Sequence, residues 1–274
     1  MPASLDSFRR SLPTAVGLLL VAAAGSALAC SASTSPDLSG TSVGAPTVMG
    51  SGSVHSYLTT GRDGTPTELG VALTEGALVG LPAAITEFVI ALPAQATATP
   101  YTHAVINWQP TGHPPMGMYM VPHFDVHFYS ITQSERDAMT PADPQYATKM
   151  LRLPTGALAP TGYSADVMGI PRMGLHWGDP TSPEYSGQAF TSTFIYGSYD
   201  GKLIFAEPML SKAYLESKPA ADVKPVKQPG QYALSGYQPT SFTVSFDAVR
   251  KEYRIALTGL VLRSPGPAMA QLAR

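Results

Sequence analysis

Apolar and polar positions alternate with period two over much of the chain, in short runs bounded by Gly, Pro, Asp and Ser. Strands are predicted over residues 54–58, 68–73, 87–92 and 104–108. Two more, 190–196 and 202–205, flank Asp200-Gly201, a pair suited to a tight hairpin turn. Residues 241–246 and 252–262 read as a closing hairpin. The strongest pattern is residues 122–129, Pro-His-Phe-Asp-Val-His-Phe-Tyr. In an extended backbone His123, Asp125 and His127 share one face, while Phe124, Val126 and Phe128 share the other and fill a core.

Helical signals are brief. Residues 74–79 can form a short helix capped by Thr74 and ended by Gly80, and 134–139 another, capped by Ser134 or Thr132. A third is predicted over 210–215, after Pro208. Residues 141–188 have little periodicity, yet Met168, Met173, Leu175 and Trp177 ask for burial. They are expected to form one long ordered loop folded over the sheet. Residues 220–229 read as an exposed connection. The fold class is therefore mainly β, an antiparallel β-sandwich or barrel with a few short helices, in a single domain over residues 53–274.

The N-terminal end carries a different pattern. Arg9 and Arg10 precede an apolar run at 16–24 that is too short to span a bilayer, and Ala27-Leu28-Ala29 fits a signal peptidase. Cys30, the single cysteine, follows at once. Residues 1–29 thus read as a signal peptide. Either Cys30 is acylated, as in a bacterial lipoprotein, or the chain is simply cleaved after Ala29. Leu is the usual residue where Ala27 stands, and a small residue where Leu28 stands. Residues 30–52, rich in Ser, Thr, Gly and Pro, read as a flexible tether. The expected location is outside the cytoplasm, in the periplasm or beyond, with the membrane reached through the lipid and a homo-oligomer as the expected assembly. Charged residues make up 13% of the chain and the formal net charge is −2, which excludes a basic nucleic-acid-binding surface. Without a disulfide, stability has to come from the core.

Six histidines make their placement informative. Candidate metal ligands are His123, Asp125, His127 and His176, with His113 and Glu207 as further donors, since imidazole and carboxylate are ordinary ligands for zinc and its neighbours. Residues two apart on a strand can share an ion. Residues four apart, about 13 Å along the backbone, cannot do so comfortably, so His123 and His127 are not expected on one metal unless the strand is bulged. A plausible set is one of them with Asp125, completed by His113, His176 or Glu207. Two other readings stay open: a self-satisfied polar row supporting a loop, and acid–base chemistry without metal. Glu207 reads equally as a first-turn charge for the 210–215 helix. His55 and His103 read as packed or surface residues. No P-loop, dinucleotide fingerprint or nucleophile elbow is present.

Several motifs together resemble a known family: Asn107-Trp108-Gln109-Pro110-Thr111-Gly112-His113-Pro114-Pro115, then residues 122–129, His176-Trp177, residues 194–203 and Glu207-Pro208-Met209. They are similar to an uncharacterised family of exported bacterial proteins with a PHFDxHFY core motif, a domain of unknown function. Gln109 stands where Asn is expected. The resemblance implies that His123, Asp125 and His127 are a family feature and brings no assigned activity. The expectation is an exported envelope protein, a non-enzymatic binding or assembly module whose cluster holds a divalent metal, zinc foremost, or none. The alternative is a metal-dependent hydrolase or lyase with Glu207 as general base.

Overall fold

The structure is a computed structural model that describes residues 39–266. The signal-peptide and Cys30 readings lie outside the described residues.

Sixteen strands follow one another among these residues. They are β1 (Gly40–Val43), β2 (Thr47–Met49), β3 (Gly52–Thr60), β4 (Pro66–Thr74), β5 (Thr86–Ala91), β6 (His103–Gln109), β7 (His123–Tyr129) and β8 (Ser164–Ala165). After these come β9 (Leu175–Gly178), β10 (Ser192–Tyr199), β11 (Lys202–Ser211), β12 (Asp222–Pro225), β13 (Gly236–Gln238), β14 (Ser241–Asp247), β15 (Glu252–Thr258) and β16 (Val261–Arg263). Helices are few and short: α1 (Gln133–Ala138), α2 (Tyr146–Leu151) and α3 (Lys212–Glu216), with 3-10 turns between.

The strands form two antiparallel seven-stranded sheets and a small β13–β16 pair. The first sheet runs β1-β3-β4-β15-β14-β12, with β2 also on β3, and the second β5-β6-β7-β11-β10-β9-β8. Neither closes into a barrel, so of the two expected forms the sandwich is the one found. Alternation explains why the sheets face each other. Leu58, Leu69, Val71, Val244, Ile255 and Leu257 of the first sheet meet Ile106, Phe124, Val126, Phe128, Phe194 and Leu210 of the second in one buried cluster. The hairpin signal at Asp200-Gly201 is real: both residues take positive φ, 51° and 77°, the left-handed pair that suits a two-residue turn.

The second sheet differs from an ordinary half-wet antiparallel sheet in one respect. All seven residues of β6 and all seven of β7 are buried. Their inward residues pack on the first sheet. Their outward residues lie under segments that cross the outer face, and that is where the polar side of β7 sits.

Several expectations are corrected. The predicted tether gives way to structure by Gly40, because β1 and β2 hydrogen-bond along β3 and Met49 is fully buried. The 74–79 helix is a 3-10 turn over Glu75–Leu78 with no side-chain cap bond from Thr74. The 134–139 segment is α1, capped by Thr132, which accepts from the Glu135 N–H while Glu135 reaches back to the Thr132 N–H. Residues 210 and 211 extend β11 instead of starting a helix, because Leu210 is fully buried opposite Phe124; α3 begins at Lys212, with Ser211 accepting from Tyr214 N–H. The long loop carries α2 and β9, and Met168 is exposed rather than buried. Residues 222–225 form an edge strand on β14 instead of a free connection.

Candidate functional site

Three strands of the second sheet and the segment joining β6 to β7 supply the site. On β7 the outward residues are His123, Asp125 and His127, all buried. On β11, antiparallel to β7, Glu207 faces outward two residues before Met209, which pairs with Asp125. On β9, His176 pairs with Gly197 of β10. Gly197 has to be glycine, since a Cβ there would come within 2.1 Å of the Phe205 ring. That ring then lies under two site imidazoles, with centroids 4.7 Å from His127 and 5.5 Å from His176. Tyr129 stacks on the other side of His127 at 5.5 Å.

His113 comes from the segment joining β6 to β7. Gly112, at φ 74°, turns that segment where any Cβ would strike the Tyr119 carbonyl at 2.1 Å, and the His113 N–H donates to the same carbonyl at 3.2 Å. His113 is thereby folded back over Asp125. The sequence places these groups on one strand face and one distant loop; the structure sorts them into two triads.

The first triad is His113, His123 and Asp125. His123 Nε2 lies 3.1 Å from Asp125 Oδ1, and His113 Nε2 lies 3.6 Å from Asp125 Oδ2. Each ring is held from behind by a backbone carbonyl. His123 Nδ1 sits 2.7 Å from the Val121 oxygen, and His113 Nδ1 sits 2.6 Å from the Pro114 oxygen. A carbonyl can only accept, so both Nδ1 atoms carry hydrogens. Each Nε2 then faces the carboxylate with either a second proton or a bare lone pair. A lone pair 3.1 Å from a carboxylate oxygen is repulsive unless a cation stands nearby. Gln109 Nε2 donates to Asp125 Oδ2 at 3.2 Å. Burial works to raise the Asp125 pKa, but the two imidazoles outweigh it and hold the carboxyl well below the usual carboxylate range. For His113 burial works downward, and Asp125 overrides it to raise the ring above its ordinary value.

The second triad is His127, His176 and Glu207. Glu207 Oε2 lies 3.2 Å from His127 Nε2 and 3.8 Å from His176 Nε2. Its electrostatics are the reverse. Burial, with help from the Asp125 charge, pushes the Glu207 carboxyl well above the ordinary range. Burial also drives His127 down to about 3 and His176 down to about 4.

Polar atoms in both triads are close without being hydrogen-bonded. His123 Nε2, Asp125 Oδ1, both ring nitrogens of His127 and Glu207 Oε2 are buried with no hydrogen-bond partner among the described residues. These atoms are 3.1–3.2 Å apart without the alignment of a hydrogen bond, and within each triad the three candidate donor atoms all lie within 4.8 Å of one another. Donors around a tetrahedral ion with bonds of about 2.0–2.2 Å stand roughly 3.3–3.6 Å apart. The measured separations of 3.1, 3.6, 3.2 and 3.8 Å bracket that spacing. His123 and His127 fall in different triads, as strand geometry requires.

Both triads open on one cavity of about 200 Å³, lined also by Gln109, Tyr119, Tyr185 and Met209. That is room for an ion with its waters or a very small ligand, less than a drug-sized pocket of ~300–1,000 Å³. Two placements differ from the sequence reading, those of Glu207 and Gln109. Glu207 is no helix charge, because it lies mid-strand and α3 starts five residues later. Gln109 is the last residue of β6 and a contact of Asp125, not a loop residue, and its signal was the same period two: His103, Val105, Asn107 and Gln109 alternate with Ala104, Ile106 and Trp108 along the strand. His103 is packed outside the site, stacked on Tyr129 at 5.0 Å.

Residues 61–108 match the model of the TTHB210-like family, described as hypothetical protein TTHB210. The match covers β4 to β6 and stops before β7. No curated protein matches the chain. No solved structure matches it either.

Proposed function

We propose that the chain is an exported metal-binding protein whose first triad, His113, His123 and Asp125, takes one divalent transition ion, zinc foremost. The observation that carries this is the pair of braced imidazoles. Both Nδ1 atoms are committed to backbone carbonyls, and both Nε2 atoms turn to the same carboxylate. Metal-binding histidines are held in this way, because the bond behind the ring fixes its tautomer and aim. A divalent ion would supply the two positive charges that protonating both rings would otherwise bring. Gln109 would steady Asp125 from the other side. The export part of the reading rests on Arg9, Arg10, the 16–24 apolar run and Cys30, through which a lipid would anchor the chain to the membrane.

A ligand-binding role without catalysis accommodates everything in this geometry. A second reading, metal-dependent hydrolase or lyase, is favoured by one observation: three protein donors beside a cavity leave a coordination position for water or substrate. Glu207 on the facing wall would then handle the proton.

The test is elemental analysis and zinc calorimetry on untagged protein. Near-stoichiometric zinc, lost in His123→Ala with the far-UV spectrum retained, is the expected result. Wild-type protein that takes up no divalent ion at micromolar concentration would overturn it.

A further inference from the structure

We infer that the second triad, His127, His176 and Glu207, is a second metal site in the same cavity, taking its own divalent transition ion. This stands on the reading above that the first triad holds an ion, and it adds a stoichiometry of two.

One ion cannot serve both sets. His123 and His127 sit four residues apart on an unbroken strand, ~13 Å along the backbone, so an ion within bonding distance of one ring is out of reach of the other. An ion in the first triad therefore leaves the second as it stands. There, Glu207 Oε2 and both nitrogens of His127 are buried and unpartnered, although His127 Nε2 is 3.2 Å from the carboxyl oxygen. Polar groups left unsatisfied in this way at the centre of a sheet call for a partner that the described residues do not supply.

The arrangement suits a cation better than a hydrogen bond. An acid–imidazole pair built to share a proton would point atom at atom. Here the close contacts miss that alignment, and the three candidate donor atoms all lie within 4.8 Å of one another. They come from β7, β9 and β11, three strands of one sheet, so the backbone ladder fixes their spacing. Phe205 and Tyr129 wall the apolar side of His127 and leave the cavity as the open approach. Two imidazoles with one carboxylate is a zinc-type donor set, and its fourth position would face the cavity.

The experiment is zinc titration by calorimetry into metal-free, untagged, full-length chain, with elemental analysis after dialysis. Wild type should take two ions. His176→Ala, at the half-buried edge of the triad, should take one and keep its melting temperature without metal within a few degrees. Glu207→Gln should keep one event at wild-type affinity and weaken the other at least tenfold. Asp125→Asn should lose the other ion, and the Asp125→Asn, His176→Ala double variant should take none. A wild type that binds one ion, lost in Asp125→Asn and unchanged in His176→Ala and Glu207→Gln, overturns the second site and leaves the first standing. No uptake in wild type overturns both.

Discussion

His113, His123 and Asp125 on one side of the cavity, and His127, His176 and Glu207 on the other, are the same chemical set in two environments. In the first, two backbone carbonyls and the Gln109 amide brace the donors, and the carboxyl is held ionised by its imidazoles. In the second, burial holds both rings and the acid toward their neutral forms. Composition alone does not set the charge state of a site; the second contact of each donor does. A segment turned by Gly112 can bring a carbonyl behind a ring.

The largest effect should come from the element both triads share. Phe124→Ala empties a fully buried position on the inward face of β7 and should cost about 3–5 kcal/mol. Chemical denaturation should show that loss, and zinc uptake should weaken at both triads together. Loss at one triad alone would show that they do not depend on a common strand.

The sharpest contrast is between two conservative substitutions. Asp125→Asn removes an ionised carboxyl from between two imidazoles and should destabilise metal-free protein by about 3 kcal/mol. Glu207→Gln replaces an acid that burial pushes toward its neutral form with an amide of the same shape, and should change stability by less than about 1 kcal/mol. Equal losses in denaturant midpoint would erase the electrostatic difference between the triads.

A histidine outside both provides the pH reference. Burial, with Arg136 nearby, drives His103 down to about 4. In the unfolded chain it titrates near 6.5, so below that pH the unfolded state binds the extra proton and folding loses free energy. The contribution is complete above pH 6.5 and lost as pH falls toward 4, up to about 2–3 kcal/mol. Replacing His103 by Gln should flatten the stability profile across that window; an unchanged slope would contradict the assignment. A smaller effect than at His103 is expected at the brace. Gln109→Ala removes one hydrogen bond to Asp125 and should cost about 1.5 kcal/mol, with zinc affinity at the first triad falling about tenfold and the second unaffected.

Much of this was legible in the sequence where the period was long enough. Seven alternating residues at β7 gave the strand, its two faces and three of the six donors. Four residues at β9 were too few, so His176 stood out only by its type, although Leu175 and Trp177 do point inward around it. The six residues of α2 bury Met150 alone and leave no apolar stripe to detect. Glu207 was open to a helix-charge reading beside that of a donor because Pro208 and Leu210 suggest a helix start, whereas pairing with β7 and β10 holds that stretch extended. The division into two triads depends on which strands are neighbours, and no spacing along the chain encodes that.

The most direct test is anomalous diffraction at the zinc edge from crystals grown with zinc. The account predicts a peak about 2.0–2.2 Å from His113 Nε2, His123 Nε2 and an Asp125 oxygen. Ordered protein with those three side chains in place and no peak among them would contradict it.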